Sequence, residues 1–369
     1  MAEKKKQHYV PKFYLRNFSV GGTDRIHLFN IKRLEPILAV PIKNQCYEKY
    51  YYGKDLKQES AFEKLEGAVA RTIDSVLETN RLPIKMSEEY LVLFFYILSQ
   101  DNRTKRAGEQ ETEINNKMWK MILRHDSELS SALDDWKIVE EVPTAGPLYA
   151  TAMAWPLAFD LEMKIICNGT EEGFVTSDSP VVRYNQYMER LEGVSSTGLA
   201  SHGLQIYFPI SPQFMLFLYD PTVYHVGTSA SDCCEVLGKG EVRKLNELQW
   251  LSAFENIYYS DETSLDSIRS QAKRALPHRR DALSVVEEYV HVEDSSRSLI
   301  AMRNADLKIG LRPGFVRVKK SKSRIPLHKR NPIRNEYMSI AWNRFQEEVD
   351  AGNYEDQDFL KFLAERSQR

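Results

Sequence analysis

The sequence has little that would staple or anchor it. Four cysteines in 369 residues are too few for a disulfide framework. None falls in a C-x-x-C spacing, which excludes a zinc ribbon and a thioredoxin-type centre. Cys233 and Cys234 are adjacent in a Ser/Asp-rich stretch that reads as a loop carrying reduced thiols. The longest unbroken apolar run, Tyr90 to Leu98, is far short of the roughly 20 residues needed to cross a bilayer, so no membrane partner is expected. Met1 to Gln7 holds a lysine cluster and no apolar stretch, which argues against a secretory leader and for a cytoplasmic protein. No G-x-x-x-x-G-K-[ST], no G-x-G-x-x-G after a strand, and no H-E-x-x-H or H-x-H occurs. Glycine-rich nucleotide loops and the commonest zinc-hydrolase motif are therefore unsupported.

What is present is an ordinary globular composition, 42% hydrophobic and 28% charged, which excludes collagenous and wholly disordered chains. The net charge of -2 hides an asymmetry. Residues 301–335 hold eleven lysines and arginines against one acid, Asp306, so this strip is +10 and the remainder is -12. An acidic body with one basic strip is suited to a polyanion or an acidic protein surface. Phe315 is its only aromatic residue, which disfavours base stacking and favours phosphate contact by Lys319, Lys320, Lys322, Arg324, Lys329 and Arg330.

Hydrophobic period divides the rest. Phe62, Leu65, Val69, Ile73, Val76 and Leu77 recur at helical spacing with Ser60 as a cap, and a second helix starts at Ser87 and runs toward Arg124. Met163–Asn168 and Phe174–Tyr184 read as two strands around a hairpin turn, and Leu204–Pro209 and Phe214–Tyr219 as two more around Ser211-Pro212. Helical spacing returns at Val242–Phe254, Leu265–Leu276 and Glu336–Val349. The expected fold is α+β: a helical block packed on a mostly antiparallel sheet over residues 1–260, then a helical, basic extension over 261–369.

Polar residues in apolar patterns mark the candidate site. With Phe62 at zero and about 100° per residue, Glu66 falls about 40° from the apolar face and points inward. A carboxylate there needs a partner, and Arg103 at the end of the next helix is the one expected. On the helix from Val242, Asn246 and Gln249 also lie on the apolar face. His8 precedes Val10-Pro11, which favours extended backbone, and its imidazole suits proton transfer. Asp178 sits among Thr176, Ser177, Ser179 and Pro180, four polar or ladder-breaking neighbours between the apolar flanks Phe174-Val175 and Val181-Val182. Such an interruption marks a bulge or a site.

Taken together, Gln7-His8-Tyr9-Val10-Pro11, Phe13-Tyr14-Leu15-Arg16-Asn17-Phe18, Leu65-Glu66, Asn102-Arg103-Thr104, Phe174 to Pro180 and Leu245-Asn246 resemble the family called domain of unknown function 4238, across roughly residues 7–260. The resemblance implies a cytoplasmic, mostly microbial protein. It also implies Asn after the aspartate, where this chain has Ser179. It brings no activity with it.

The expectation for function is a metal-assisted phosphodiester hydrolase acting on RNA or DNA, with His8, Glu66, Arg103, Asp178 and Asn246 around one cavity. Asp178, Glu66 and Asn246 would supply oxygen ligands to Mg²⁺ or Mn²⁺, His8 would move a proton, and Arg103 would hold the phosphate. The alternative is a non-enzymatic module in which those residues form a structural network and residues 301–335 meet RNA, DNA or an acidic protein. A further three-residue match, Asp135 with Glu162-x-Lys164, superficially follows a nuclease pattern.

Overall fold

In the computed structural model, which describes residues 5–54, 56–124, 136–191, 195–228, 230–279, 283–290 and 298–367, the chain enters through a short strand. This strand is β1 (Lys6–His8); Val10 beyond it is kept out of helical backbone by Pro11, which then starts the single-turn helix α1 (Lys12–Arg16). A hairpin, β2 (Arg25–Asn30) and β3 (Glu35–Pro41), follows, and β4 (Tyr47–Lys49) returns to pair antiparallel with β1.

Three helices come next. The first, α2 (Lys57–Thr79), begins before Ser60, which is therefore inside it, and its N-cap is Leu56 in the left-handed region at φ 59°. In α3 (Glu88–Asn102), Ser87 is the cap and accepts from the Tyr90 amide at 3.2 Å. The helix expected to run on toward Arg124 is broken, because Thr104 accepts from the Ala107 amide at 3.2 Å and caps a separate helix, α4 (Lys105–Leu123). Arg103 occupies the elbow. A shorter helix, α5 (Ala145–Ala154), leads into the sheets.

The central sheet has the order β11-β5-β9-β8-β7: β5 (Glu162–Asn168), β7 (Val182–Tyr184), β8 (Gln205–Pro209), β9 (Phe214–Tyr219) and β11 (Cys233–Val236). All its pairings are antiparallel except β11 with β5. The expected turn at Ser211-Pro212 joins β8 and β9, but the hairpin expected after Asn168 is absent. Instead β6 (Thr176–Ser177) leaves β5 and pairs with β12 (Asn256–Tyr259) in a second antiparallel sheet, β3-β2-β12-β6. Local period shows that both segments are extended and carries no information on which sheet each joins. Cys233 and Cys234 are likewise in strand β11 rather than a loop, where pairing with β5 buries Cys234.

Because successive side chains of a strand point to opposite faces, β9 separates two cores. Leu216 and Leu218 pack with Val69 and Ile73 of α2 and Leu93 and Ile97 of α3. Met215, Phe217 and Tyr219 pack on the other face with Val242, Leu245 and Leu248 of α6 (Lys239–Ser252). This is an α+β architecture with helices on the sheet.

Beyond residue 260 the chain supplies strands as well as helices. The helix α7 (Leu265–Ala275) places Ile268 and Ala272 against Trp250. A hairpin, β13 (Ser284–Val290) and β14 (Ser298–Asn304), follows, while β10 (Tyr224–Val226) pairs with β15 (Val316–Val318). One further turn, α8 (Lys320–Ser323), precedes α9 (Glu336–Asp350) and α10 (Phe359–Ser367), whose Phe345, Phe359 and Phe362 enclose Met153 of α5. The Arg334 side chain is fully buried against Asp160 at 2.9 Å and the carbonyls of Leu157, Leu199 and Ser201. No helix among the described residues is long and apolar enough to cross a membrane.

Candidate functional site

The expected Glu66–Arg103 pair is formed. Arg103 is 1% exposed, and its Nη2 donates to Glu66 Oε1 at 2.7 Å and to the His8 carbonyl at 2.8 Å. Its Nε donates to the Tyr52 hydroxyl at 2.9 Å, and the guanidinium lies 4.1 Å from the centre of the Phe62 ring. Three elements thus meet on one side chain: β1, α2 and the α3–α4 elbow. Gln7 fastens the arrangement by accepting from the Tyr52 amide at 2.6 Å and donating to the Gly53 carbonyl at 3.1 Å, while Gln100 donates to the Tyr9 carbonyl at 2.8 Å.

The cluster is not fully satisfied. Arg103 Nη1, His8 Nε2, Gln100 Oε1 and the Tyr96 hydroxyl are buried without a hydrogen-bond partner. Buried polar atoms of this kind are uncommon and point to a ligand or solvent site. Burial, reinforced by the charge of Lys12, lowers the His8 pKa from its usual 6.5 to about 4, so the ring is neutral near pH 7. The third titratable member is Glu59, whose pKa burial pushes up to about 7 against the pull of Arg103, with Glu66 and Glu63 adding to the rise.

Sequence reading missed Glu59 because it started α2 at Ser60. On the same helical wheel Glu59 lies about 60° from Phe62 and seven residues before Glu66, so the test that found Glu66 finds it too once the helix is extended by a turn.

Asp178 and Asn246 are each held by main chain. The Asp178 carboxylate, 1% exposed, accepts from the amides of Phe254 (2.7 Å), Glu255 (2.6 Å) and Asn256 (3.0 Å), pinning the turn between α6 and β12. Burial raises its pKa to about 6, and those amides pull the other way. Asn246 accepts from the Val175 amide at 3.0 Å and donates to the Gly173 carbonyl at 3.1 Å. Gln249 accepts from the Ser177 hydroxyl and donates to the Pro180 carbonyl, both at 2.8 Å. These amides hold the irregular chain around β6.

Of the five residues expected around one cavity, His8, Glu66 and Arg103 are joined by direct hydrogen bonds, and Asp178 and Asn246 bond to main chain. Of the expected ligand set, Glu66 pairs with Arg103, and Asp178 and Asn246 bond to main chain. No group of three or more His, Cys, Asp or Glu side chains among the described residues is arranged to hold a metal ion. The Glu162-x-Lys164 match is also taken apart: Lys164 donates to the carbonyls of Thr228 and Ser231, and Glu162 pairs with Lys85 at 2.6 Å. Asp135 lies outside the described residues.

The basic strip is laid on the body and splits into two kinds of residue. Lys319 donates to the Pro221 carbonyl at 2.6 Å, Lys322 approaches His202 at 3.2 Å, and Arg330 stacks 4.1 Å from the Tyr187 ring centre. Lys320, Arg324 and Lys329 are exposed and have no ion pair among the described residues.

The chain belongs to the family DUF4238, proteins of unknown function, whose model matches residues 6–263. That span holds both polar clusters and stops short of the basic strip. Neither the curated proteins nor the solved structures contain a match to the chain.

Proposed function

We propose that this DUF4238 chain is a phosphodiester hydrolase acting on nucleic acid, working by proton transfer at the Arg103 cluster. The observation that supports it best is a buried guanidinium with one unpartnered nitrogen beside an unpartnered imidazole nitrogen, with a carboxyl nearby that titrates near neutrality. Two groups whose surroundings push their pKa values past each other are the signature of an acid–base pair. His8 is neutral at pH 7 and takes a proton; Glu59 still holds one to give. Arg103 Nη1 offers a charged donor to a phosphate oxygen as negative charge builds there.

On RNA the step balances with these groups alone. The ribose 2′-hydroxyl attacks the adjacent phosphorus and its proton passes to His8 Nε2. The bond from phosphorus to the 5′ oxygen breaks, and Glu59 protonates the leaving oxygen. A 2′,3′-cyclic phosphate and a free 5′-hydroxyl result; water then opens the cyclic ester, giving its proton to the Glu59 carboxylate while His8 returns its proton to the 2′ oxygen, which completes the hydrolysis and restores both groups. The test is purified protein with end-labelled RNA and DNA in Mg²⁺, in Mn²⁺ and in chelator. Cleavage of RNA to cyclic-phosphate ends, lost in His8→Ala and Glu59→Gln, is the expected result; the metal arms decide whether Mg²⁺ or Mn²⁺ takes part. No cleavage, or cleavage indifferent to both changes, overturns the reading.

A second reading, binding of nucleic acid or an acidic protein without chemistry, is favoured by a different observation: three exposed basic residues of the strip that no acid neutralises among the described residues.

A further inference from the structure

The lysine cluster that opens the sequence is taken up neither by the Arg103 cluster nor by the strip at residues 301–335. Strand β1 pairs antiparallel with β4 in the register Lys6–Lys49, Gln7–Glu48, His8–Tyr47. Because successive side chains of a strand alternate between faces, Lys6, His8, Tyr47 and Lys49 share one face of this two-stranded ribbon. Gln7 and Glu48 take the other, where Gln7 is fully buried and Glu48 pairs with Lys105 at 2.9 Å. The first face is open: Lys6 and Lys49 are exposed, and His8 and Tyr47 are half-buried.

Its charge is the first pointer to a ligand. Lys6 and Lys49 stand directly opposite each other, and like charges in that position oppose strand pairing. Lys12, which opens α1, and Lys43, whose backbone is hydrogen-bonded to the His8 ring, add two more exposed ammonium groups. None of the four has an ion pair among the described residues. The charges of Lys12, Lys6 and Arg103 all act on the His8 ring in the same sense. The carboxylates around the cluster do not cancel them: Glu66 is taken by Arg103, Glu48 by Lys105, and Glu59 keeps its proton up to about pH 7, which leaves Glu63. An anion set between Lys6 and Lys49 removes their repulsion.

The second pointer is the ring beside them. Tyr47 lies 5.6 Å from the His8 ring, centre to centre, and the Lys6 ammonium sits 4.4 Å from the Tyr47 ring centre. A cation–ring contact at an exposed site is weak, so a phosphate that draws Lys6 away uncovers the ring for a base. A bare anion uses the lysines alone, whereas a nucleotide uses the lysines and the ring together. Aromatic side chains beside basic ones are how unpaired bases of single-stranded RNA are held.

We infer that the β1–β4 ribbon is the substrate platform of the Arg103 cluster: it holds single-stranded RNA with a base on Tyr47 and the neighbouring phosphates on Lys6 and Lys49. The adjoining ribose and phosphodiester then come to His8, whose ring is next to Tyr47 on the same face. This rests on the hydrolase proposed above and narrows its substrate to unpaired RNA. A duplex keeps its bases stacked inside and has none to lay on the ring.

The test uses a fluorescein-labelled oligoribonucleotide with 2′-O-methyl sugars, which cannot be cut by 2′-hydroxyl attack, beside a strand of the same length without bases. Wild type should bind the strand with bases more tightly. Tyr47→Leu should weaken that binding roughly tenfold and leave the baseless strand unaffected, while Tyr47→Phe, which keeps the ring, should bind as wild type does. The double change Lys6→Ser and Lys49→Ser should lower the slope of log affinity against log salt by about 1.4, at about 0.7 for each phosphate. Tyr47→Leu binding like wild type, or weakening the baseless strand equally, would overturn the inference, and so would an unchanged slope in the double lysine variant. Cleavage of unmodified RNA is scored separately. A strand that binds with this dependence on Tyr47 and is never cut overturns the hydrolase and keeps the platform. RNA cut by Tyr47→Leu with the wild-type kcat/KM overturns the platform and keeps the hydrolase.

Discussion

Two sets of buried polar contacts are built into this fold, one on Arg103 and one on Asp178, and they differ in what their polar atoms have left to do. At Asp178 every oxygen is used: three amides of one turn converge on the carboxylate. At Arg103 the pairings are strong but incomplete, and nitrogen atoms of Arg103 and His8 remain without partners. A polar residue in an apolar pattern therefore says only that burial is being tolerated. Whether it is a fastener or a reagent depends on the atoms left unpaired.

The sharpest way to break this comparison is to remove the fastener. Asp178→Ala leaves three buried amides without an acceptor and should cost on the order of 4 kcal/mol of stability, with Asp178→Asn recovering part of it. Denaturant unfolding measures both. An Asp178→Ala protein as stable as wild type but inactive would move Asp178 into the reacting site. Asn246→Ala, which frees one amide and one carbonyl around β6, should cost about 2 kcal/mol by the same measurement.

The reagent side should respond in the opposite sense. His8→Ala and Glu59→Gln should each lower the rate of RNA cleavage about 100-fold or more, while their unfolding midpoints move far less than that of Asp178→Ala, because the His8 ring makes a single hydrogen bond, to the Lys43 backbone, against three amides on Asp178. If either loses stability like Asp178→Ala, the two centres are the same kind of structure.

These assignments were legible in the sequence to unequal depth. The inward turn of Glu66 and its pairing with Arg103 follow from helical period and from the cost of a lone buried charge, and both are found. The α3 cap at Ser87 and the β8–β9 turn follow from local chemistry in the same way. Asp178 is legible as unusual but not as a clamp, since its partners are main-chain amides of Phe254, Glu255 and Asn256, and main chain leaves no mark in a sequence. The split of β5 and β6 into separate sheets is invisible for a related reason: β6 finds its partner β12 about 80 residues away.

Titration separates the pair more finely. The cleavage rate should rise as His8 loses its proton near pH 4 and fall as Glu59 loses its own near pH 7, and His8→Ala should remove the acid limb from whatever activity remains. Stability carries the complementary signs. The folded state holds the Glu59 proton more tightly than the unfolded chain, so this residue lowers stability as pH rises from about 4.5 to about 7. His8 binds its proton less tightly when folded, so its contribution is present above pH 6.5 and is lost toward pH 4. Glu59→Gln should flatten the first slope by on the order of 1 kcal/mol after allowance for its half-exposure. A rate independent of pH between 4 and 8 would remove both groups from the chemistry.

The smallest effect on stability, and the one that isolates the strip from both centres, is expected at its surface. Lys319, Lys322 and Arg330 lie against Pro221, His202 and Tyr187, so changing them alters the fit of the strip as well as its charge. Lys320, Arg324 and Lys329 carry charge outward, and exposed charges contribute little to stability. Changing these three together to Ser should leave unfolding within about 0.5 kcal/mol of wild type. If they bind phosphates, the slope of log affinity against log salt for single-stranded RNA should fall by roughly two units, about 0.7 for each phosphate no longer neutralised. Because phosphate contacts position without reading bases, the weakening should be equal across oligonucleotide sequences. An unchanged slope would mean that the strip serves an acidic protein surface or only covers the body, and the Arg103 cluster would then have to find its substrate without it.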